Sequence, residues 1–336
     1  MNLDIKRVVG YRQFCNKIWN AFRFAMLYIS DFYPYLGMQN HITISPKAAK
    51  RDLFILSKLN TCIKDCIAAI NGYLFGAATS ALHSFFLYDV CDYYLEVVKP
   101  LMNDTSEDKK DEKRIAQATL FVVLESFLRL AHPMMPFVTE ELWQRLPNRT
   151  NMTEIQSIAI AAYPKPIDEW FNPVVEHSNE LIQEAIHGAR SLRSDYKIPN
   201  HVKANFYFQT TSEEIRAAFT EQAEDFCTLA KGNCFTNFEA GQALPKGWCV
   251  KVLNDQLSLL VDLTGIIDIE TEIARLAKEV ERLNPLVDTY RRKINAAGYE
   301  DKVPEAVKVS NNEKLAAYEA ELEATVKAIE TFQSMK

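Results

Sequence analysis

Much of what carries chemistry in proteins is missing from this chain. Its seven cysteines are an odd number with no Cys-x-x-Cys pair, so no disulfide framework is expected. Cys62 and Cys66 stand four apart, a helical spacing that suits burial better than metal binding. None of the six histidines (His41, His83, His132, His177, His187, His201) has metal-ligand spacing. GxGxxG, Walker, GxSxG and HExxH patterns are all absent, which excludes the common dinucleotide, P-loop, serine-hydrolase and zinc-protease signatures. No apolar run approaches the eighteen or so residues needed to span a bilayer. Asn2 to Arg12 is polar and charged, so no signal peptide is expected. Glu140 and Glu141 are adjacent and so do not face each other as an acid/base pair would. His132, in "AHPMMP", reads as a histidine fixed at a helix corner. No catalytic or metal site is expected.

At 336 residues, 48% apolar and 24% charged, the chain is long enough for two or three ordinary globular domains. Its net charge of −6 is unevenly spread. Residues 1–64 hold ten Lys or Arg against three acids, a +7 end that leaves −13 for the remainder. Such a split suggests a surface for a polyanion. Within it, "GYRQFCNKIWNAFRFAMLYI" reads as a helix with Phe14, Ile18, Phe22, Ala25 and Ile29 on a core face. Arg12, Asn16, Asn20 and Arg23 fall on one other line, a row that a merely solvated face would fill with Glu and Lys.

The first half of the chain is helical throughout. Ser45 and Pro46 are placed to start a second helix, in which Lys47, Lys50 and Arg51 form a basic first turn. A third segment stops near Pro100, and Ile115–Leu130 supplies a fourth. Pro133 and Pro136 then turn a corner into Glu140–Leu146. Short connections make this an antiparallel bundle over residues 1–165. From 166 to 265 a long amphipathic helix precedes "KANFYFQT", a helix over 212–229, "CFTNFEA", and a hairpin of "WCVKVLN" and "LSLLVDL" turning at Asp255-Gln256. That is a small α+β connector module whose sheet order the sequence does not give.

Residues 266–336 are the most regular. Ile269, Ile273, Leu276, Val280, Leu283, Val287, Tyr290, Ile294 and Ala297 alternate at 4-3 spacing. After the break "GYEDKVP", Leu315, Tyr318, Leu322, Val326, Ile329 and Phe332 form a second seam. The two fold back as a C-terminal antiparallel coiled-coil hairpin. At ~1.5 Å per residue, thirty-residue arms reach roughly 45 Å. Pro285 should kink the first arm. The fold class is therefore mainly α, and the chain reads as a binding protein.

Several stretches resemble one family. "FCNKIWNA" with Arg23-Phe24, "DLFILSKLN", "DVCDYYLEVVKP" and "AHPMMPFVTEELW" resemble, in that order, the anticodon-binding bundle of class I aminoacyl-tRNA synthetases. The terminal "INAAGYEDKVPEAV" and the heptads after it are similar to the coiled coil of the valyl-tRNA synthetase family, the tip being most like cytosolic eukaryotic versions. Two departures are Pro285 and "RDLF", where the family usually has an aromatic directly after Asp-Arg.

The resemblance implies a tRNA-binding C-terminal half, inactive alone because the family's HIGH-type and KMSKS-type signatures and its editing domain are absent. It implies valine tRNA as partner, with the catalytic and editing domains of a full-length ligase; a translation-factor complex stays open, and no membrane or DNA is implied. ATP and Mg²⁺ would serve the full-length cytoplasmic enzyme, and no cofactor this chain. Lys50, Arg51, Lys58 and Asn60 become candidates for the anticodon. Arg291, Arg292, Lys293 and Lys302 become candidates for the outer corner of tRNA, with Glu313, Glu319, Glu321, Glu323 and Glu330 facing away from RNA. The row of Arg12, Asn16, Asn20 and Arg23 would meet either the catalytic half or RNA. Two other readings stay open: a free-standing tRNA-binding or scaffold protein derived from a synthetase, and a coiled-coil adaptor.

Overall fold

The computed structural model describes residues 5–334 apart from 36–37, 39–44, 46, 152–153, 240–241, 243, 267–268, 296–298 and 300–303, and for some helical residues the backbone alone. The described helices and sheet form two compact units, Met1–His187 with Ser212–Gly232, and Gly188–Thr211 with Asn233–Lys336.

The first unit is a helical bundle. Helix α1 (Ile5–Tyr28) buries Ile18, Phe22 and Ala25, and Ile29 just after it is buried too, while Arg12, Asn16, Asn20 and Arg23 stay exposed, as the wheel predicts. Helix α2 (Lys50–Asn71) starts later than its sequence suggests. Ser45 is spent in a local turn: its Oγ accepts from the Lys47 N–H at 3.2 Å and its carbonyl from Ala48 at 2.9 Å. Pro46 lies outside the described residues. Helix α3 (Phe75–Ser84), a π-helical segment (Phe85–Tyr94) and α4 (Leu95–Asn103) follow without a break. The wider π turn brings both Tyr93 and Tyr94 inside. Pro100 does not end the helix, since it sits in the last turn and costs one hydrogen bond there; Asn103 Nδ2 donates to the Lys99 carbonyl at 2.9 Å.

Helix α5 (Lys110–Ala131) is the axis: every residue from Leu120 to Ala131 is buried, as expected of a helix enclosed on all sides. Phe127 stacks on Phe86 at 4.3 Å, and Phe86 on Phe22 at 5.9 Å, joining α5, the π segment and α1. The two charges buried on α5, Glu125 and Arg129, pair with each other at 2.8 Å; Trp143 of α6 (Pro136–Gln144) donates to Glu125 at 3.2 Å. Helix α7 (Pro173–Asp195) adds Val175, Ile182 and Ile186 to this core. The helix expected over 212–229 is two, α8 (Glu213–Glu221) and α9 (Ala223–Ala230). Gln222 leaves helical geometry between them, and its side chain donates to Ser178 Oγ at 2.7 Å.

The second unit holds strands β1 (Ala204–Thr210), β2 (Gly232–Asn237), β3 (Trp248–Asn254) and β4 (Leu257–Asp262), in sheet order β2-β1-β4-β3. β1 and β3 each pair antiparallel with β4, and the β3–β4 turn is Asp255-Gln256 as predicted. The last turns of α7 lie close on the sheet. A Cβ on Gly188 would stand 2.7 Å from a methyl of Leu253, which explains a glycine inside a helix.

Helices α10 (Ile269–Ile294) and α11 (Glu305–Ser334) form the hairpin. Leu276, Leu283 and Val287 are buried between them, and Tyr290 meets Tyr318 at 5.6 Å. Helix α10 continues through Pro285, whose ring is on the exposed side. One seam position differs from the expectation: Thr325 is buried (9% exposed) and Val326 faces out (40%). Leu315, Tyr318, Leu322, Thr325 and Ile329 restore a 3-4-3-4 repeat, so geometry overrides the more apolar side chain. Ala297, and the side chains of Ile269 and Phe332, lie outside what is described. No described helix is long and apolar enough to cross a membrane.

Candidate nucleic-acid interface

The exposed row on α1 borders two open grooves. One is lined by Gln13, Asn16, Lys17 and Asn20 of α1 with Asp92, Glu96 and Lys99. Its charges are already paired: Lys17 with Asp92 at 3.1 Å, and Lys99 with Glu96 while lying 5.0 Å over the Phe24 ring. The other is lined by Trp19, Asn20, Arg23, Leu27, Leu142 and Arg145. Here the Arg145 guanidinium lies 5.4 Å over Trp19, and Arg23 adds a second cation. Arg145 and Trp19 are 126 positions apart, so no sequence spacing could have joined them.

Helix α2 departs most from the expectation. Arg51 is 6% exposed. Its Nη1 donates to Asp225 of α9 at 2.9 Å and its Nη2 to Glu112 of α5. Beside it, the carboxylate of Asp52 accepts from the Tyr94 hydroxyl at 2.6 Å. Burial works against the Arg51 charge, yet Asp225, Asp52 and Glu112 hold its guanidinium above the ordinary arginine value. Burial pushes Asp52 up to about 6 against the pull of Tyr94 and Arg51. It also keeps Asp225 above its usual range despite the bond to Arg51. Glu112, which burial pushes upward, is nevertheless held low by Lys109 and Arg51.

Asn60 is fully buried, and its Oδ1 accepts from the Ile167 N–H at 2.8 Å. Ser57 accepts from the Asn172 N–H at 3.0 Å and bonds to Glu176. The polar side of α2 thus fastens other segments of the bundle. Of its cations, Lys50 lies at the surface 3.5 Å from Glu221, and Lys58 is half-buried over Phe54 at 5.9 Å, near Asp89. Lys64 pairs with Asp168 at 3.4 Å and Lys47 with Asp111 at 3.0 Å. The +7 segment is therefore largely neutralised in space by acids from later in the chain.

On the arm, Arg291 of α10 donates to Glu319 of α11 at 2.7 Å. Arg292 is exposed with no partner among the described residues, and Lys293 lies 4.9 Å over the Tyr290 ring. Glu313, Glu323 and Glu330 are exposed on α11; Lys302 and the side chain of Glu321 lie outside the described residues. Among the described residues no group of three His, Cys, Asp or Glu could hold a metal ion.

Residues 52–208 match the family described as anticodon-binding domain of tRNA ligase, and residues 268–333 match the valyl tRNA synthetase tRNA binding arm. The chain therefore carries the anticodon-binding domain and tRNA-binding arm of valyl-tRNA synthetases. It is 36% identical over 339 residues to valine–tRNA ligase of Takifugu rubripes, covering all of this chain and 27% of the relative. Against valine–tRNA ligase, mitochondrial 1 of Arabidopsis thaliana it is 33% identical, covering 94% of this chain and 28% of the relative. The Psychrobacter arcticus valine–tRNA ligase is 31% identical, with 100% and 34% covered. The chain thus spans between a quarter and about a third of the length of these curated relatives.

On α2, Arg51 and Asn60 need correction as candidate RNA contacts. Both are buried and bonded to other parts of the protein, Arg51 to a carboxylate 174 positions away. Lys50 and Lys58 are half-buried, Lys50 beside Glu221 and Lys58 over Phe54. Arg291 is engaged across the hairpin, which leaves Arg292 and Lys293 as the available cations near that end of α10.

Proposed function

We propose that this chain is the tRNA-binding region of a cytoplasmic valine–tRNA ligase. In this reading the bundle of residues 1–165 receives the anticodon, residues 166–265 connect, and the arm of residues 266–336 leans on the outer corner of valine tRNA. The chain places the tRNA so that a catalytic half, using ATP and Mg²⁺, can join valine to the 3′ end. Such a region needs shape and cations and no acid/base pair or metal.

The observation that carries this reading is the hairpin itself. It matches a tRNA-binding arm, and it presents Arg292 and Lys293 outward beside a closed apolar seam. In the bundle, Lys50, Lys58 and the Arg23 end of the α1 row would contact phosphates or unpaired bases, since guanidinium and amide groups read both. Asn16, on the groove with paired charges, suits the protein half of the reading, because Asp92 and Glu96 repel phosphate.

Binding of the chain to valine tRNA, beside an anticodon-swapped version and across a salt series, tests the proposal. Preference for the valine anticodon with a steep salt slope supports it. Absence of binding to either at low salt refutes it.

A further inference from the structure

The two faces of the sheet are unlike. The inner face carries Phe206, Phe208, Leu259 and Val261, all buried, and the end of α7 lies on it. There Tyr196 Oη is 2.8 Å from Cys249 Sγ, and Lys251 Nζ donates to Ser191 Oγ at 2.6 Å. On the other face the register sets Tyr207, Leu260 and Val250 in one row, and Asn205, Asp262 and Trp248 in the next. Of these six only Leu260, at the centre, is buried. Val250 and Val252 are 42 and 70% exposed, so this face is open to solvent along β3. An open sheet face ordinarily alternates polar side chains with the buried ones. This one holds an aromatic cluster instead: the Tyr207 and Trp248 rings stack at 4.2 Å, and Phe238, just after β2, meets Trp248 at 5.5 Å. Beside the cluster Asn233 Nδ2 donates to Asn205 Oδ1 at 3.1 Å. Lys203 continues the alternation of Asn205, Tyr207 and Gln209, and Lys246 stands two residues before Trp248. Both lysines are exposed and have no partner among the described residues. The one acid in the two rows, Asp262, accepts from the Thr264 N–H at 2.9 Å.

We propose that this sheet face binds unpaired nucleotides of RNA, with bases stacked on the cluster of Tyr207, Trp248 and Phe238 and phosphates held by Lys203 and Lys246. Aromatic side chains on an open four-stranded sheet suit single-stranded RNA, because every base has a π face to stack. Charge selects this occupant over an apolar protein surface. Both free lysines stand at the end of the sheet where β1 and β3 begin, next to the rings, which is where the phosphates of stacked nucleotides would lie. The amides of Asn205 and Asn233 offer donors and acceptors to base edges at the same end. The inference goes beyond the function proposed above, which gives residues 166–265 a connecting role only. Unpaired nucleotides of tRNA and of a separate single strand present the same chemistry, and the test distinguishes the two.

The probe is hexauridylate carrying one 4-thiouridine, bound to the whole chain, photocrosslinked and mapped by peptide mass spectrometry. Crosslinks should fall on β1 and β3 around Tyr207 and Trp248. Trp248→Ala should weaken hexauridylate binding about fivefold or more. Because removing a ring can disturb the sheet, Lys203→Glu with Lys246→Glu is measured beside it. That pair should leave the melting temperature unchanged, weaken hexauridylate binding about fivefold or more, and make its salt dependence shallower. Equal weakening of valine-tRNA binding by the lysine pair upholds the proposal and assigns the nucleotides to tRNA. Unchanged valine-tRNA binding upholds it and assigns them to a separate strand. Absence of hexauridylate binding at low salt, crosslinks confined to other segments, or binding that both variants leave within about twofold of the unaltered chain overturns the proposal. So does a concentration-dependent dimer that Val252→Lys dissociates, which would give the face to a second copy. Hexauridylate has neither a valine anticodon nor a tRNA corner, so its failure to bind and failure of the proposed function are read separately.

Discussion

Replacing Arg51 by Met separates a structural role from an RNA-contact role, because the two predict opposite results. In the fold, Arg51 is the cation between Asp225 and Glu112, with Asp52 beside it. Removing it leaves buried carboxylates uncompensated, and breaking such a pair from one side costs about 3–5 kcal/mol. For a unit of roughly 200 residues, where 1 kcal/mol moves the melting temperature by about 2–4 °C, the expected loss is roughly 10 °C. Asp52 adds a pH signature. Its folded value of about 6 lies above the ordinary 3.8, so its contribution to stability is full below the ordinary value and lost as pH rises through about 6. Without Arg51 the carboxylates should take up protons more readily, so the penalty should be largest near pH 8 and shrink towards pH 5. Urea unfolding followed by circular dichroism at several pH values reads this directly. Valine-tRNA binding is measured alongside, at a temperature where the variant remains folded. A stability change below about 1 kcal/mol, together with a tenfold loss of tRNA affinity, would refute the reasoning and restore Arg51 as an RNA contact.

Asn60→Ala should cost about 1 kcal/mol, because the half-buried Ile167 N–H loses its acceptor; a thermal melt shows it, and tRNA affinity in the folded protein should be unchanged. Arg292→Glu with Lys293→Glu should weaken tRNA binding and lower the salt slope by about 2, at roughly one per phosphate contact. In the hairpin, Leu283→Ala should cost about 2–5 kcal/mol and Val326→Ala under about 0.5, the opposite of what two apolar seams of equal weight would give. Gly188→Leu should cost about 1–3 kcal/mol, since the added side chain would meet Leu253 and Leu259 on the sheet, as chemical denaturation can show.

The sequence by itself determined the mainly helical class, the β3–β4 hairpin, the exposed row on α1 and the antiparallel arm. These are local patterns: a side-chain period of 3.6, 3.5 or 2 is imposed by the backbone a few residues at a time, so a single chain displays it. The motifs that resemble a synthetase were legible for the same reason, as short runs of neighbouring residues. The candidate contacts were less legible. Arg51, Asn60 and the +7 segment looked like a surface for RNA because their partners, Asp225, Ile167 and the scattered acids, stand far away in sequence. Only folding brings those partners within hydrogen-bond reach, and only then does a cation become half of an internal pair. The sheet order β2-β1-β4-β3, the pairing of Arg291 with Glu319, and the choice of Thr325 over Val326 were decided in the same way. Each depends on which element lies opposite, and hydrogen bonds and burial between elements are set by their relative placement in space.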